Sequence, residues 1–241
     1  MFKGLFIAAT DTGVGKTVVG AALAQYFRGM GRVVRVRKPV ESGCACSPTG
    51  LLPADALVLQ RAAGNLERLP QICPWPLALP LSPERAAQAV GLQLSLDALT
   101  VACRAGVGDN DVLLVEGAGG FFSPLASGVR NAELAVALGL PILLVVPDRL
   151  GCLNHAMLTA EAITARGLRM AAVVLNRCGA SPVPEMDNAA DLSRWLGQAV
   201  YPLALLPPHE QPVATRLQAA LPRELCAVLS TGVIAERPHN G

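Results

Sequence analysis

Apolar residues along this chain gather into short unbroken runs, with longer stretches of helical periodicity between them. The runs at 3–9, 32–38, 111–116, 141–146, 170–175 and 201–205 predict strands. The segments 16–28, 52–63, 94–104, 152–166, 187–196 and 213–220 predict helices, the first of them closed by Gly29 and Gly31. Strands this continuously apolar need cover on both faces, so the alternation predicts an α/β fold with one mostly parallel sheet and helices on both faces. Ligands of such sheets sit at the carboxyl ends of the strands. The polar residues just after each apolar run are therefore the ones to weigh for chemistry. Between 73 and 83 the chain carries Pro74, Pro76, Pro80 and Pro83, which excludes a regular helix or central strand and predicts a surface or active-site loop. Residues 1–229 read as a single domain, and 230–241 as a weakly ordered tail.

Composition narrows the partners more than the fold. A hydrophobic content of 52% with only 16% charged residues supplies a large core and an apolar subunit interface besides, which predicts an oligomer. The net charge of +2 is too small for binding nucleic acid by bulk electrostatics. The one basic run, 32–38, alternates as a strand with a single charged face. The longest apolar stretch, 140–146, is far below the roughly 20 residues that span a bilayer, so no membrane segment is expected. The 7 cysteines are odd in number, include no Cys-x-x-Cys pair and follow no secretory signal, which points to a reduced, cytoplasmic protein. Cys44-Ala45-Cys46 has no His nearby and is not read as a metal site.

The junction after the first strand reads Ala9-Thr10-Asp11-Thr12-Gly13-Val14-Gly15-Lys16-Thr17. It follows the P-loop pattern Gly-x-x-x-x-Gly-Lys-[Ser/Thr], except that Thr10 stands where the first Gly belongs. In such a loop, backbone N–H groups point at phosphate oxygens and the helix N-terminus adds a favourable dipole. Lys16 would reach the terminal phosphates and Thr17 would ligate Mg²⁺. Other strand ends carry matching chemistry. Lys38-Pro39-Val40-Glu41-Ser42-Gly43 puts a lysine at the mouth of the sheet to meet an anion, with Ser42 as a donor. Glu116, before Gly117-Ala118-Gly119-Gly120, offers a carboxylate to Mg²⁺, and Asp55 offers a second. The amide of Asn176 both donates and accepts, which suits the edge of a purine. Gly151-Cys152-Leu153-Asn154-His155 opens a helix, where free N–H groups suit a carboxylate; Asn154 as an ordinary helix cap is the plainer alternative. Nothing in the sequence pairs His155 with a carboxylate, and it is read as structural or capping.

Taken in order, the segments 10–17, 38–43, 55–57, 115–120 and 151–155 resemble the dethiobiotin synthetase family, a branch of the P-loop NTPase superfamily. The resemblance implies a P-loop NTPase-like fold, a homodimer, and an ATP-dependent cyclo-ligase of biotin biosynthesis. Such an enzyme converts 7,8-diaminononanoate, CO₂ and ATP, with Mg²⁺, into dethiobiotin, ADP and phosphate by way of a carbamate and its mixed anhydride with phosphate. It implies further that Gly13, Val14, Gly15, Lys16, Thr17, Asp55, Glu116, Gly119, Asn176, Leu206 and Pro207 bind ATP, with Thr17, Asp55 and Glu116 on the metal. Lys16 and Lys38 would supply catalytic positive charge. Thr12, Lys38 and Ser42 would contact the carbamate, while Gly151, Cys152 and Asn154 would hold the substrate carboxylate across the dimer interface.

The chain departs from the family pattern at Ala9, in place of the usual first Gly, and at Glu84, in place of the common His of Ser-Pro-His. Cys73-Pro74-Trp75 stands in place of the frequent Asn-Pro-Tyr. A ParA/MinD-like switch ATPase is the alternative, but Asp11 replaces the first lysine of that family's loop and no basic amphipathic membrane helix follows. A cobyrinate amidating synthetase would need a glutaminase domain, for which 241 residues leave no room.

Overall fold

The computed structural model describes residues 3–177, 183, 185–203, 216 and 221–234. β1 (Lys3–Ala9) runs straight into the glycine-bearing loop, and α1 (Lys16–Gly29) follows with Val19, Leu23 and Phe27 buried. β2 (Val34–Arg37) is shorter than the predicted 32–38 because its flanking amides are spent elsewhere. The Arg32 N–H closes the end of α1 on the Phe27 carbonyl, and the Lys38 N–H goes to the Ile72 carbonyl. A stretch of small elements follows: β3 (Val40–Ser42), β4 (Ala45–Ser47), β5 (Gly50–Leu52), α2 (Ala54–Ala62), α3 (Leu69–Ile72) and β6 (Trp75–Leu77). The helix predicted over 52–63 starts late because Leu52 belongs to the β4–β5 hairpin.

The proline-rich stretch is more regular than predicted. β6 lies parallel to β3 with Pro76 opposite Glu41, in a separate two-stranded ladder where a missing N–H is tolerated. Pro83 opens α4 (Pro83–Ala89), at a helix position that needs no N–H. α5 (Leu96–Arg104) is capped by Ser95 and leads to β7 (Val112–Glu116). β8 (Pro124–Ala126), β9 (Val129–Arg130) and α6 (Asn131–Leu138) are too short for periodicity to reveal. β10 (Ile142–Pro147), α7 (Cys152–Thr164), β11 (Met170–Asn176), α8 (Asn188–Leu196) and β12 (Val200–Leu203) lie within about two residues of their predicted bounds. The helix predicted over 213–220 lies outside the described residues, apart from 216. α9 (Arg223–Ile234) runs past Leu229, where the sequence reading ends the domain. Leu225 and Leu229 are buried, and the Tyr26 hydroxyl bonds Ser230 at 2.9 Å.

Six strands form one parallel sheet in the order β12-β11-β10-β1-β7-β2. Residues alternate between its faces. Leu5 and Ile7 enter a core with α1, α2 and α9, and Phe6 and Ala8 enter a second core with α5, α6, α7 and α8. Parallel pairing brings every carboxyl end to the same edge. The segments after Ala9, Arg37, Glu116 and Pro147 therefore share one rim.

At the β2 edge, Arg37 is 1% exposed and its guanidinium is bidentate to Glu67 at 2.8 and 2.9 Å. It also donates to the Ala105 carbonyl, which ties strand, loop and α5 together. Removing one partner of such a pair strands the other as a buried charge. Glu67→Gln is expected to cost about 3 kcal/mol, read as a lower urea midpoint at unchanged slope.

Asp111 accepts from Arg35 at 2.9 Å and from the Gly108 N–H at 3.0 Å. Burial raises its pKa, but these two donors outweigh burial and the carboxyl titrates below its usual range. Stability from such a group is complete above its unfolded pKa, about 4, and is lost as pH falls through the lower folded value. The parent chain is expected to exceed Asp111→Asn in stability at neutral pH, with the gap closing under acid in a urea series.

Candidate active site

The loop between β1 and α1 is shaped by Gly13 (φ 73°) and Gly15 (φ 91°), left-handed conformations that glycine adopts without strain. Gly15 is the N-cap of α1, so Lys16 and Thr17 form its first turn, where backbone N–H groups lack helical partners. Val14 is buried, and the Asn176 side-chain amide donates to its carbonyl at 2.8 Å. Asn176, at the end of β11, thereby clasps the loop from two strands away. Lys16 donates to the Asp11 carbonyl at 3.2 Å. Burial, then the nearby Lys38 ammonium, depress its pKa to about 8 against the opposing pull of Glu116, Asp55 and Asp11.

Lys38 follows β2 and is 3% exposed. Its ammonium donates to Glu116 Oε1 at 2.6 Å and pairs with Asp55 Oδ2 at 3.0 Å. Burial works against the charge, yet the two carboxylates more than offset it and hold the pKa above its ordinary value. The Thr17 hydroxyl donates to the same Glu116 oxygen at 2.9 Å. Burial likewise pushes the Asp55 pKa up, while Lys38, Thr17 and Lys16 pull it down to a net depression. Two cations and two carboxylates thus meet at the mouth of the loop. Glu116 Oε2 is buried and has no hydrogen-bond partner among the described residues. Thr17, Asp55 and Glu116 offer hard oxygen donors, and the described residues hold no cluster of three or more acidic, His or Cys side chains. That set fits Mg²⁺, which takes one or two carboxylates and completes its shell with phosphate and water.

Asn131, 1% exposed, braces the loop after β7. Its amide donates to the Ala118 and Gly120 carbonyls at 2.7 and 2.8 Å, and its oxygen accepts the Ala118 N–H at 3.1 Å. A Cβ on Gly119 would meet Ser123 Oγ at 2.5 Å and Thr12 Oγ1 at 3.4 Å, so the loop lies close against the residues before Gly13. Beside it opens a groove of about 770 Å³ lined by Asp11, Phe121, Phe122, Ser123, His155 and Leu158 among others. α7 begins at this groove. Gly151, in a left-handed conformation (φ 89°), is its N-cap, in place of Asn154, which is exposed and lies within the helix. Cys152 is buried, and Arg149 just before it pairs with Asp11 at 3.0 Å.

Of the residues singled out from sequence, Lys16, Thr17, Lys38, Asp55 and Glu116 converge. Thr12 and Gly119 are adjacent, and Ser42 ends β3, half-buried, four residues beyond Lys38. Gly151 caps α7 and Cys152 and Asn154 lie in its first turn, ahead of the groove-lining His155, and Leu206 and Pro207 lie outside the described residues. Sequence reasoning missed Asn131 and Glu41. The Glu41 carboxylate accepts the N–H groups of Asp55 and Ala56, both at 3.0 Å, and burial raises its pKa despite those two donors.

A parallel sheet, a glycine loop capping the first helix, and a lysine with two carboxylates at its mouth define a P-loop nucleotide-binding α/β protein. The model of a family described as "AAA domain" matches residues 3–228. The ATP-dependent dethiobiotin synthetase BioD of Anaeromyxobacter dehalogenans (strain 2CP-C) is 43% identical, over 90% of this chain and 95% of that one. Its counterpart from Xanthomonas campestris pv. campestris (strain ATCC 33913) is 42% identical over 82% and 86%. The chain belongs to the ATP-dependent dethiobiotin synthetase family. A solved MinC:MinD cell division protein complex from Aquifex aeolicus shares the fold, with a TM-score of 0.54 over 99% of both chains at 12% identity.

Asn131→Ala would remove the partner of the buried Ala118 N–H and carbonyl, and one of the two donors to the Gly120 carbonyl. It is expected to cost roughly 2–4 kcal/mol in chemical denaturation and to weaken ATP binding in calorimetry.

Proposed function

We propose that this ATP-dependent ligase of biotin biosynthesis closes the ureido ring of dethiobiotin from 7,8-diaminononanoate, CO₂ and ATP at the Lys38 cluster. The observation that carries the reading is the buried Lys38 ammonium, held by Glu116 and Asp55 at the mouth of the glycine loop, beside Lys16. One substrate amine adds to CO₂ and loses a proton, giving a carbamate. The carbamate oxygen attacks the γ-phosphorus as ADP leaves, and the second amine then attacks the carbamate carbon as phosphate leaves. An anion is thus brought against a more anionic triphosphate, and the site must supply positive charge where charge builds up.

Lys16 and the N–H groups of Gly13 to Thr17 would bind the phosphates, with Gly119 against them. Lys38 would orient the carbamate with Thr12 and Ser42. Thr17, Asp55 and Glu116 would hold Mg²⁺, which would supply charge neutralisation on the triphosphate. Asn176, beyond its clasp on Val14, would border the adenine together with Leu206 and Pro207. Gly151, Cys152 and Asn154 would receive the substrate carboxylate in a homodimer, where the exposed Leu150 and Leu158 near the groove supply apolar contact area. The described residues contain no helix long and apolar enough to cross a membrane, and the free thiols suit the reducing cytoplasm. The likeness to MinD extends to fold alone. Asp11, paired with Arg149, occupies the place of that family's lysine.

Phosphate release is expected only when the diamine and bicarbonate are supplied together. Turnover stimulated by DNA or lipid and indifferent to the diamine would sink the reading. In Lys38→Gln the two carboxylates lose their cation but would still be able to hold Mg²⁺, so calorimetry should find Mg²⁺·ATP binding largely intact while ring closure is abolished. Equal loss of both would move Lys38 to the nucleotide site.

A further inference from the structure

Pro53 is the N-cap of α2, and it has no side-chain acceptor for the first free amides of the helix. Those amides belong to Asp55 and Ala56, the positions a capping side chain ordinarily serves. The carboxylate that serves them comes from another element. Glu41, in the middle of β3 and 7% exposed, places Oε1 on the Asp55 N–H and Oε2 on the Ala56 N–H, each at 3.0 Å. Both oxygens are thus committed to backbone. The same strand descends from Lys38 and ends at Ser42, so one short segment carries the ammonium, the cap and the hydroxyl.

We propose that Glu41 is a positioning residue for the metal and nucleotide site, acting through Asp55 by fixing the N-terminus of α2 against the segment that bears Lys38. Asp55 is partly exposed, its side chain 43% accessible, and its ion pair is with Lys38. The backbone of Asp55 therefore determines where its carboxylate can reach, and Glu41 holds that backbone. A negative charge at a helix N-terminus is also favoured by the helix dipole, which strengthens the clamp. Groups that orient a metal-binding carboxylate without touching the metal typically change affinity by about 10- to 100-fold when removed. The proposal rests on the reading of Asp55 as a Mg²⁺ ligand.

The test compares Glu41→Ala, Glu41→Gln and Asp55→Asn with the parent chain by calorimetric titration of ATP across a Mg²⁺ series. Circular dichroism checks the fold of each. Glu41→Ala is expected to bind metal-free ATP like the parent and to need about tenfold more Mg²⁺ for full affinity. The amide oxygen of Glu41→Gln still accepts one N–H, so its rise is smaller, and Asp55→Asn shows a rise at least as large as Glu41→Ala. If Glu41→Ala does not fold, the Gln variant alone decides. A parent-like Mg²⁺ requirement in the Glu41 variants beside an impaired Asp55→Asn overturns the proposal and leaves the metal reading standing. An unaltered requirement in Asp55→Asn overturns both. Equal loss of affinity with and without Mg²⁺ in the Glu41 variants marks a merely structural role and overturns the proposal too.

Discussion

The structure is organised around one buried charge. Lys38 sits almost fully out of water, and its ammonium persists there because Glu116 at 2.6 Å and Asp55 at 3.0 Å replace the solvent it lost. Isolated, a buried ammonium would surrender its proton; with two carboxylates it keeps a firm hold on it. The three groups arrive from the segment just after β2, from α2 and from β7, so the charge balance can be met only when edge strand, helix and central strand are all in place. Lys16, beside them, carries the opposite signature, an ammonium eased towards neutrality by burial and by its cationic neighbour. A site with one firmly held and one loosely held lysine is ready to receive a polyanion, because added negative charge stabilises both ammonium groups.

The parallel sheet explains why such a cluster forms at all. With every strand running the same way, the chain returns to one rim after each crossover, and polar residues placed after apolar runs become neighbours there. This much was legible in the sequence. Apolar runs at 111–116 and 141–146 fixed β7 and β10 to within a residue or so, and the Gly-Lys-Thr junction located the loop. Lys16 and Thr17 were singled out by the loop pattern, Lys38 and Glu116 as charged residues at strand ends, and Asp55 as a carboxylate on the following helix.

What periodicity could not reveal were contacts between residues far apart in the chain. Glu41 caps α2 from a strand, and Pro53 gives no hint that a cap is missing, since helix-start signals are read from local residues. Asn131 lies at the start of a helix and looks like a capping residue, yet its amide is turned into the loop after β7. Elements of two to four residues, such as β3, β6, β8 and β9, are shorter than any hydrophobic repeat and are held by pairing rather than by pattern. The C-terminal helix escaped the pattern for a related reason. α9 owes its place to Leu225, Leu229 and the Tyr26 contact, which depend on a partner helix some two hundred positions earlier.

Arg37 and Lys38 stand next to each other, and each has its own acidic counterpart: Glu67 for the first, Glu116 and Asp55 for the second. Adjacent residues in an extended chain project to opposite sides, so the two cations are sorted by parity. A slip of β2 by one residue along β7 would present a guanidinium to the pocket shaped for an ammonium and leave Glu67 facing an apolar neighbour. The pair of consecutive basic residues therefore acts as a proofreading mark on strand alignment. An edge strand of only four residues is thus aligned by the sorting of its charges as well as by its buried Val34 and Val36.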